Sequence, residues 1–409
     1  MERMRMGQIR VIHVVTDSIS TVLMRGQLAY LQANSFDLTL VSSPGDDLER
    51  TARREGCSAF GVPMKREISP IFDLLSLFKM CKFLLRIKPL ICNSGTPKAG
   101  LLTGIAGCLT RVPCRVYTLR GLRMETTKGL RKAILTIAEK VTCLCADRVV
   151  CVSASLRERA IALRLVPRKK TVLLGLGSSN GVDPGRFGPT AERAALAAVL
   201  RKDLGIQPSQ PVIGFVGRRT RDKGIHELVA AFQTIREELP EAILLLVGDY
   251  EKGDPLPEAT RDAIESEVGI LHVENSPQIE TYYHVMNLFV LPTYREGLPN
   301  TVLEAQAAGL PVITTMATGA VDAIEGGTTG LFTPVGDASK LAEAVLSLLR
   351  NPDKMQLMGQ KGRERVLREF RNEVVWEGLA SLYRTILHEH GYLLPAGPDV
   401  EDVRCAQTP

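Results

Sequence analysis

Two carboxylates, Glu296 and Glu304, stand either side of the run Gly297-Leu298-Pro299-Asn300-Thr301, which reads as a loop opening a helix. Proline is tolerated at a helix start, and Asn300 or Thr301 is the kind of residue that caps free backbone N–H groups. Those N–H groups and the helix dipole make an anion site. The spacing predicts Glu304 in the first helical turn and Glu296 in the loop before it. Neither carboxylate can usefully touch a phosphate, since like charges repel, but both can accept hydrogen bonds from hydroxyls. Phosphate at the helix start, one glutamate beside a ribose and one beside a sugar ring describe a nucleotide-sugar site. The plainer reading is an ordinary strand–loop–helix unit: Asn287–Pro292 has the composition of a buried strand, and glutamate is favourable early in a helix.

A second group lies upstream. Pro211-Val-Ile-Gly-Phe-Val-Gly217 reads as a short buried strand ending in glycine, Arg218-Arg-Thr-Arg-Asp-Lys-Gly224 follows, and an amphipathic helix begins at Ile225. A basic loop between strand end and helix start suits a diphosphate, because arginine offers a planar fork and lysine a point charge. A solvated basic loop is the alternative, and for Arg219 and Arg221 it is the better reading.

The wording of both stretches resembles the retaining family 4 glycosyltransferases. Glu296-Gly-Leu-Pro-Asn300 through Glu304 matches their Glu-x7-Glu signature, Ala307 to Ile313 matches its Ala-x-Gly-x-Pro-Val-Ile finish, and Gly217-Arg218 through Lys223-Gly224 matches their Gly-Arg-x4-Lys-Gly segment. The resemblance implies a GT-B fold, two Rossmann-like domains facing a cleft, with the C-terminal helix crossing back to the first. It makes Arg218 and Lys223 the grip on the donor pyrophosphate, Glu304 the ribose ligand and Glu296 the sugar ligand. Gly217, Gly297, Leu298, Pro299, Asn300 and Thr301 complete the donor lining. No Asp-x-Asp motif is present to hold a metal, and the resemblance implies neither metal nor cofactor.

Strand ends in an open α/β sheet face the binding crevice, so further contacts are expected in the loops after first-domain strands. Thr16-Asp-Ser-Ile-Ser20 follows the first strand, where relatives line the donor phosphates, and Thr16 takes that place. Asn93-Ser-Gly-Thr-Pro-Lys98 is the expected acceptor-side loop, with Lys98 its cation. Thr118-Leu-Arg-Gly121 resembles the family's Thr-x-His-Gly segment, but Arg120 stands where relatives often carry His. An arginine there fits a phosphate or the developing charge on a leaving group, for acceptor binding or catalysis; a cleft-edge surface residue is the alternative.

The elements that must position these loops alternate between strand and helix, which predicts parallel sheets wrapped by helices. Strands are expected at Ile9–Val15, Leu38–Val41, Leu90–Cys92, Arg115–Thr118 and Arg148–Val152, then near 212–216, 243–247, 270–273, 287–291 and 311–314. First-half helices are expected at 23–34, 46–55, 71–87, 98–110, 127–146 and 153–164. A Gly/Ser/Asn-rich break at 174–185, with Asn180-Gly-Val-Asp183 resembling the family's junction segment, separates an acceptor domain (1–185) from a donor domain (205–368). Helices at 353–368 and 371–389 follow, and Phe370, Val375, Trp376, Leu379, Leu382 and Tyr383 form one apolar face for packing residues 369–390 back on the first domain. The tail 391–409 reads as disordered.

Composition excludes several classes. A chain of 409 residues is long for one domain, and 45% hydrophobic content supports sizeable cores. Nine cysteines without a Cys-x-x-Cys pair read as reduced thiols, and six dispersed histidines give no zinc spacing. The N-terminus leads straight into a strand and has no signal-peptide pattern, and no apolar run reaches the length of a membrane span. Charge is split: residues 1–200 carry 31 Lys and Arg against 15 Asp and Glu, while residues 201–409 carry 20 against 30. No nucleic-acid motif accompanies the basic half, so an anionic membrane surface is the expected partner.

Arg25-Gly-Gln27, Thr96-Pro-Lys-Ala-Gly100 and Gly253-Asp-Pro-Leu256 narrow the resemblance to the bacterial capsular, exopolysaccharide and O-antigen subgroup. This implies transfer of a hexose or N-acetylhexosamine, from a donor expected to be UDP-linked, to a sugar on polyprenyl pyrophosphate. It also implies a cytoplasmic enzyme held at the inner membrane face. The resemblance implies front-face attack with retention, not the two-carboxylate glycosidase pair, because Glu304 is occupied with ribose. A nucleotide-sugar 2-epimerase on the same fold and a non-catalytic scaffold are the alternatives, separated by product analysis.

Overall fold

The computed structural model describes residues 9–67, 69–251 and 253–392 and contains two wholly parallel sheets. The first has β1 (Ile9–Val14), β2 (Phe36–Ser42), β3 (Ser58–Gly61), β4 (Ile91–Ser94), β5 (Cys114–Leu119), β6 (Arg148–Cys151) and β7 (Thr171–Leu173). They lie in the order β3-β2-β1-β4-β5-β6-β7. α1 (Gln27–Ala33) and α2 (Asp46–Glu55) connect strands running one way from β1. α3 (Pro70–Ile87), α4 (Pro97–Leu109), α5 (Gly129–Cys145) and α6 (Ala154–Ala162) connect those running the other way.

Right-handed crossovers put these two sets on opposite faces. The cores agree: Leu28, Leu31 and Leu48 pack with Val11 and Leu38, whereas Met80, Phe83 and Leu102 pack with the alternate strand residues Ile12, Val14 and Val41.

Between the sheets run α7 (Pro184–Phe187) and α8 (Ala191–Asp203). The second sheet has β8 (Val212–Val216), β9 (Ile243–Val247), β10 (Ile270–Val273), β11 (Leu288–Leu291), β12 (Val312–Thr315) and β13 (Gly330–Thr333), ordered β10-β9-β8-β11-β12-β13. Its helices are α9 (Ile225–Glu238), α10 (Glu258–Ser266), α11 (Ile279–Tyr283), α12 (Asn300–Ala307), α13 (Ala338–Leu349) and α14 (Pro352–Glu369). Strands β8 and β9 are buried along their whole length, which is why they read in sequence as continuous apolar runs.

α15 (Asn372–Glu389) returns to the first half, where Val375, Leu379, Tyr383 and Ile386 share a core with Leu28, Leu31 and Phe36. Phe370 departs from the expected face: it precedes α15 and belongs to the core that includes the second sheet. The junction segment is pinned by side chains from both directions. Asn180 donates to the Arg25 carbonyl at 2.9 Å and accepts from the Trp376 indole at 2.7 Å, and Asn372 donates to the Asn180 carbonyl at 2.6 Å.

The helix expected over 23–34 is broken. A 3-10 turn spans Ile19–Met24, and α1 starts only after Gly26, whose φ of +79° favours glycine and whose Cα lies against the Trp376 ring. The short edge strands β3, β7 and β13 were not expected, because three or four residues show no alternation. The expected tail lies outside the described residues, apart from Gly391 and Tyr392.

Candidate active site

In both sheets the strand order reverses at one place, between β1 and β4 and between β8 and β11. Ligands of open α/β sheets bind outside the carboxyl ends of the strands at such points. The loops leaving β1, β4, β8 and β11 are those that hold Thr16, Lys98, Arg218, Lys223 and Glu296 or lead directly to them.

On the second sheet, Gly217 follows β8 and a 3-10 turn over Arg221–Lys223 leads into α9. The Lys223 ammonium is paired with Glu296, and their side chains are only 17% and 11% exposed. Arg218 is half-exposed and pairs with Glu251, whose other oxygen is held at 3.1 Å by Arg66 of the first half. Asp222 accepts from Arg295 at 2.7 Å and from the Thr220 hydroxyl at 2.6 Å. Burial alone would raise the Asp222 carboxyl, but Arg295, the Thr220 hydroxyl and Lys223 together hold it below the usual carboxylate range. Arg221 pairs with Asp254 at 3.1 Å.

Arg219 corrects the solvated-loop reading. It is buried, its guanidinium lies 3.9 Å from the centre of the Tyr250 ring, and its N–H bonds to the Asp249 carbonyl at 2.8 Å. Stacking on the aromatic face compensates part of its desolvation.

α12 begins at Asn300 directly after Pro299, and no side chain caps it. Asn300 and Thr301 are therefore the first two helical residues and not caps, because proline's fixed φ starts the helix without one. Glu304 is the fifth residue and lies in the second turn, another correction. It accepts a hydrogen bond from the Tyr283 hydroxyl of α11 at 2.6 Å. Burial raises its carboxyl above the usual range, only partly offset by Tyr283 and Arg186.

The first half presents a different site. Asn93 donates to the Tyr383 hydroxyl at 2.6 Å, Tyr383 in turn bonds His13 Nε2 at 2.8 Å, and Thr118 donates to Asn93 at 3.1 Å. Burial and then Arg120 push the His13 imidazole down to about 3, so the ring is neutral in its bond with Tyr383. Arg120 enters a cavity lined by His13, Gln27, Asn93, Thr118 and Ser178. It donates to the Gly95 carbonyl, and its Nε is buried without a partner. Burial lowers its pKa to about 10, which leaves it charged at neutral pH.

The two halves meet at backbone. The Arg120 carbonyl lies where a side chain on Gly297 would stand, and Gly319 abuts the other side of the same loop, so only glycine permits this approach. Arg295 reaches Thr126 at 2.9 Å, and Ser155 bonds Asp322 at 2.5 Å and accepts the Gly319 N–H at 2.7 Å.

Arg218, Lys223, Gly297–Thr301 and Glu304 thus stand on adjoining loops and the following helix start of the second sheet, with the Arg120 carbonyl against Gly297 and its guanidinium in the first-half cavity. Thr16 and Lys98 have their polar groups engaged elsewhere. Thr16 is bonded to Thr96 at 2.7 Å and to the Ala99 N–H at 3.3 Å, which ties the start of α4 to β1. Lys98 pairs with Asp73 at 2.8 Å and bonds the Glu67 carbonyl. It fastens α4 to α3 and is not free for an acceptor while that pair stands. Sequence reading missed Arg66, Glu251 and Tyr283. Only Glu251 had a signal nearby, in the Gly253-Asp-Pro-Leu256 run.

Two facing Rossmann-like sheets with a Gly-Arg loop and a Glu-loop-helix at the switch point define the GT-B glycosyltransferase class. Residues 198–365 match the family Glycosyl transferases group 1, and residues 20–177 match the Glycosyl transferase 4-like domain. The chain is 38% identical over 380 residues to the capsular polysaccharide biosynthesis glycosyltransferase CapM of Staphylococcus aureus, covering 93% of this chain and 98% of that one. The chain belongs to the family 4 glycosyltransferases. It is also 28% identical to the UDP-Gal:alpha-D-GlcNAc-diphosphoundecaprenol alpha-1,3-galactosyltransferase of Escherichia coli, over 89% of this chain and 94% of that one. The fold matches Anabaena HepE in complex with UDP-glucose at a TM-score of 0.76 and 16% identity, over 92% and 99% of the two chains.

Proposed function

We propose that this chain transfers a hexose or N-acetylhexosamine, with retention, from a UDP-linked donor to a sugar carried on polyprenyl pyrophosphate during bacterial surface-polysaccharide assembly. The carrying observation is the partly buried Lys223–Glu296 pair at the second sheet's switch point, beside the uncapped start of α12. A cation there neutralises the departing diphosphate, and the carboxylate accepts hydroxyls of the transferred sugar. The acceptor oxygen bonds to the anomeric carbon as the bond from that carbon to the phosphate oxygen breaks, and the acceptor proton passes to that phosphate oxygen. Arg218, Lys223 and the α12 N–H groups stabilise the charge that develops, so the step requires no metal. Glu304, supported by Tyr283, accepts the ribose hydroxyls. Arg120, the cation of the first-half cavity, suits a phosphate of the acceptor or of the leaving group.

The capsule and lipid-diphosphate relatives named above support the acceptor class, and the HepE complex supports a UDP donor. The test is a donor screen on purified protein, reading UDP release with and without polyprenyl-pyrophosphate glycolipids, in EDTA and without it. Glycolipid formation that depends on the lipid acceptor is expected. Interconversion of free UDP-sugars would instead mark an epimerase, and neither product would overturn the reading.

A further inference from the structure

The segment joining the two sheets is fixed at both ends. On the first-half side, Asn180 is held by Arg25, Trp376 and Asn372. On the other side, Arg186 of α7 donates to Glu280 Oε2 of α11 through Nη2 at 2.8 Å and Nε at 3.1 Å, and His284 Nε2 donates to the Phe187 carbonyl at 2.9 Å. Gly181 lies between these anchors with a φ of +70°, where glycine is favoured. A displacement of one half against the other therefore reaches α11 through α7.

Phe187 meets the Tyr283 ring edge to face with centroids 5.7 Å apart, and Phe289 of β11 packs against the same ring at 5.8 Å. Tyr283 is fully buried, and its hydroxyl donates to Glu304 Oε2 at 2.6 Å. Glu304 is partly exposed, and among the described residues its Oε1 accepts no hydrogen bond. One carboxylate oxygen is thus held from inside, and the other is left for a ligand.

We propose that this junction sets nucleotide affinity: Phe187 seats Tyr283, and Tyr283 holds Glu304 so that its remaining oxygen receives the ribose hydroxyls of the donor. The proposal rests on the reading of Glu304 as the ribose ligand. Tyr283 touches no substrate and is a positioning residue. A buried ring packed between two others has one orientation, and a short bond from its hydroxyl to a carboxylate is a strong one. Glu304 is therefore ordered before the nucleotide arrives, which removes that cost from binding.

The charged and titratable groups facing Glu304 are Tyr283 and Glu280 of α11 and Arg186 of α7. Strands β11 and β12 bring it no charge, and Arg363 and Arg365 of α14 bond the Ala307 and Ala323 carbonyls at 2.7 and 2.8 Å. Burial raises the Glu304 carboxyl, Tyr283 and then Arg186 draw it back, and Glu280 raises it again. Only the ionised carboxylate is purely an acceptor for hydroxyls. Loss of Tyr283 or Arg186 should then weaken nucleotide binding more at low pH than at high.

Calorimetric titration of the full chain with UDP from about pH 5.5 to about pH 8.5 tests this, read as the ratio of variant to parent so that the titration of UDP itself cancels. Tyr283→Phe should weaken UDP by about tenfold or more at the acid end and by less at the alkaline end. The loss should appear in KM for the donor, with kcat at saturation little changed. Arg186→Gln, at a partly exposed site, should show the same pH trend with a smaller loss. Phe187→Leu, which keeps an apolar side chain without a ring edge, should weaken UDP about threefold. Added to Glu304→Gln, Tyr283→Phe should weaken UDP no further. A ratio equal at every pH would give Tyr283 a structural role only and overturn the proposal. So would unchanged UDP affinity in Tyr283→Phe and Phe187→Leu beside a loss in Glu304→Gln. If Glu304→Gln spares UDP, the ribose assignment fails and the proposal falls with it, whereas the expected binding pattern without any sugar transfer would sink the functional reading alone.

Discussion

The two halves of the cleft bury polarity in opposite ways. The second half does it with paired charges, Lys223 with Glu296 and Arg295 with Asp222. The first half uses neutral groups: His13, Tyr383, Asn93 and Thr118 form a chain without formal charge beside the single cation Arg120. On the face bearing α5, Glu139 is buried with only the Tyr117 hydroxyl at 2.7 Å, and burial pushes its carboxyl up to about 7. Paired charges are ready to exchange partners with a diphosphate. A neutral network holds shape and leaves one cation, Arg120, among groups without formal charge.

The sharpest way to break this contrast is to remove a charge from the paired half. Lys223→Ala should lower kcat by about 10²–10³, the loss typical of removing one group that stabilises a developing oxyanion. Turnover measured as UDP release should fall much further than donor binding does. The two glutamates should then separate. Glu304→Gln should raise KM for the donor and weaken free UDP, since ribose contacts are made equally in ground and transition states. Glu296→Gln should leave UDP affinity intact and reduce turnover. Equal loss of UDP binding in both would place Glu296 at the nucleotide and undo the assignment.

The neutral half is tested by pH. Glu139 is raised from its ordinary value near 4.5 to about 7, so its contribution is fully present below pH 4.5 and lost as pH rises through 7. Glu139→Gln keeps an acceptor for Tyr117 and removes the ionisation. It should stabilise the fold at pH 8 by up to on the order of 3 kcal/mol, less the cost of burying the amide N–H2, and by little at pH 4.5. Urea unfolding at the two pH values measures it. A gain independent of pH would show that the carboxyl is not held neutral.

Tyr383→Phe should cost about 1–3 kcal/mol, because it leaves the Asn93 amide and His13 Nε2 without their shared partner in a buried site. The urea slope should be unchanged. A loss well under 1 kcal/mol would mean that water replaces the hydroxyl and that the network is not what fastens α15 to the first sheet.

The same contrast explains what could be read from the chain alone. The paired half is written locally: Gly217-Arg218 and Lys223-Gly224 share one loop, and Glu296 through Glu304 span one loop and the helix start after it, beside strands β8, β9 and β10 that appear at their expected limits. The neutral half joins His13 to Tyr383 and Asn93 to Tyr383 across some 290–370 residues, and no local pattern announces such partners. Thr16 stands on a loop, and Lys98 at the helix start after one, at the carboxyl ends of strands, where a site is expected. Their side chains were already required to hold α4 against β1 and α3, a demand that becomes visible only when the helices pack.

The smallest effect concerns a carboxylate that cations of both halves share. Glu251 holds Arg218 of the donor loop and Arg66 of the first half together. Arg66 and Arg218 are 63% and 50% exposed, so this bridge contributes less than about 1 kcal/mol. A donor diphosphate has more charge to offer Arg218 than one carboxylate, and it must displace Glu251 to use that cation. Glu251→Gln should then lower KM for the donor, by no more than about fivefold, with kcat nearly unchanged and the improvement fading as salt rises. Should KM rise and kcat fall instead, Glu251 would be steadying Arg218 in its working position, and the paired half would owe its readiness to a contact made across the cleft.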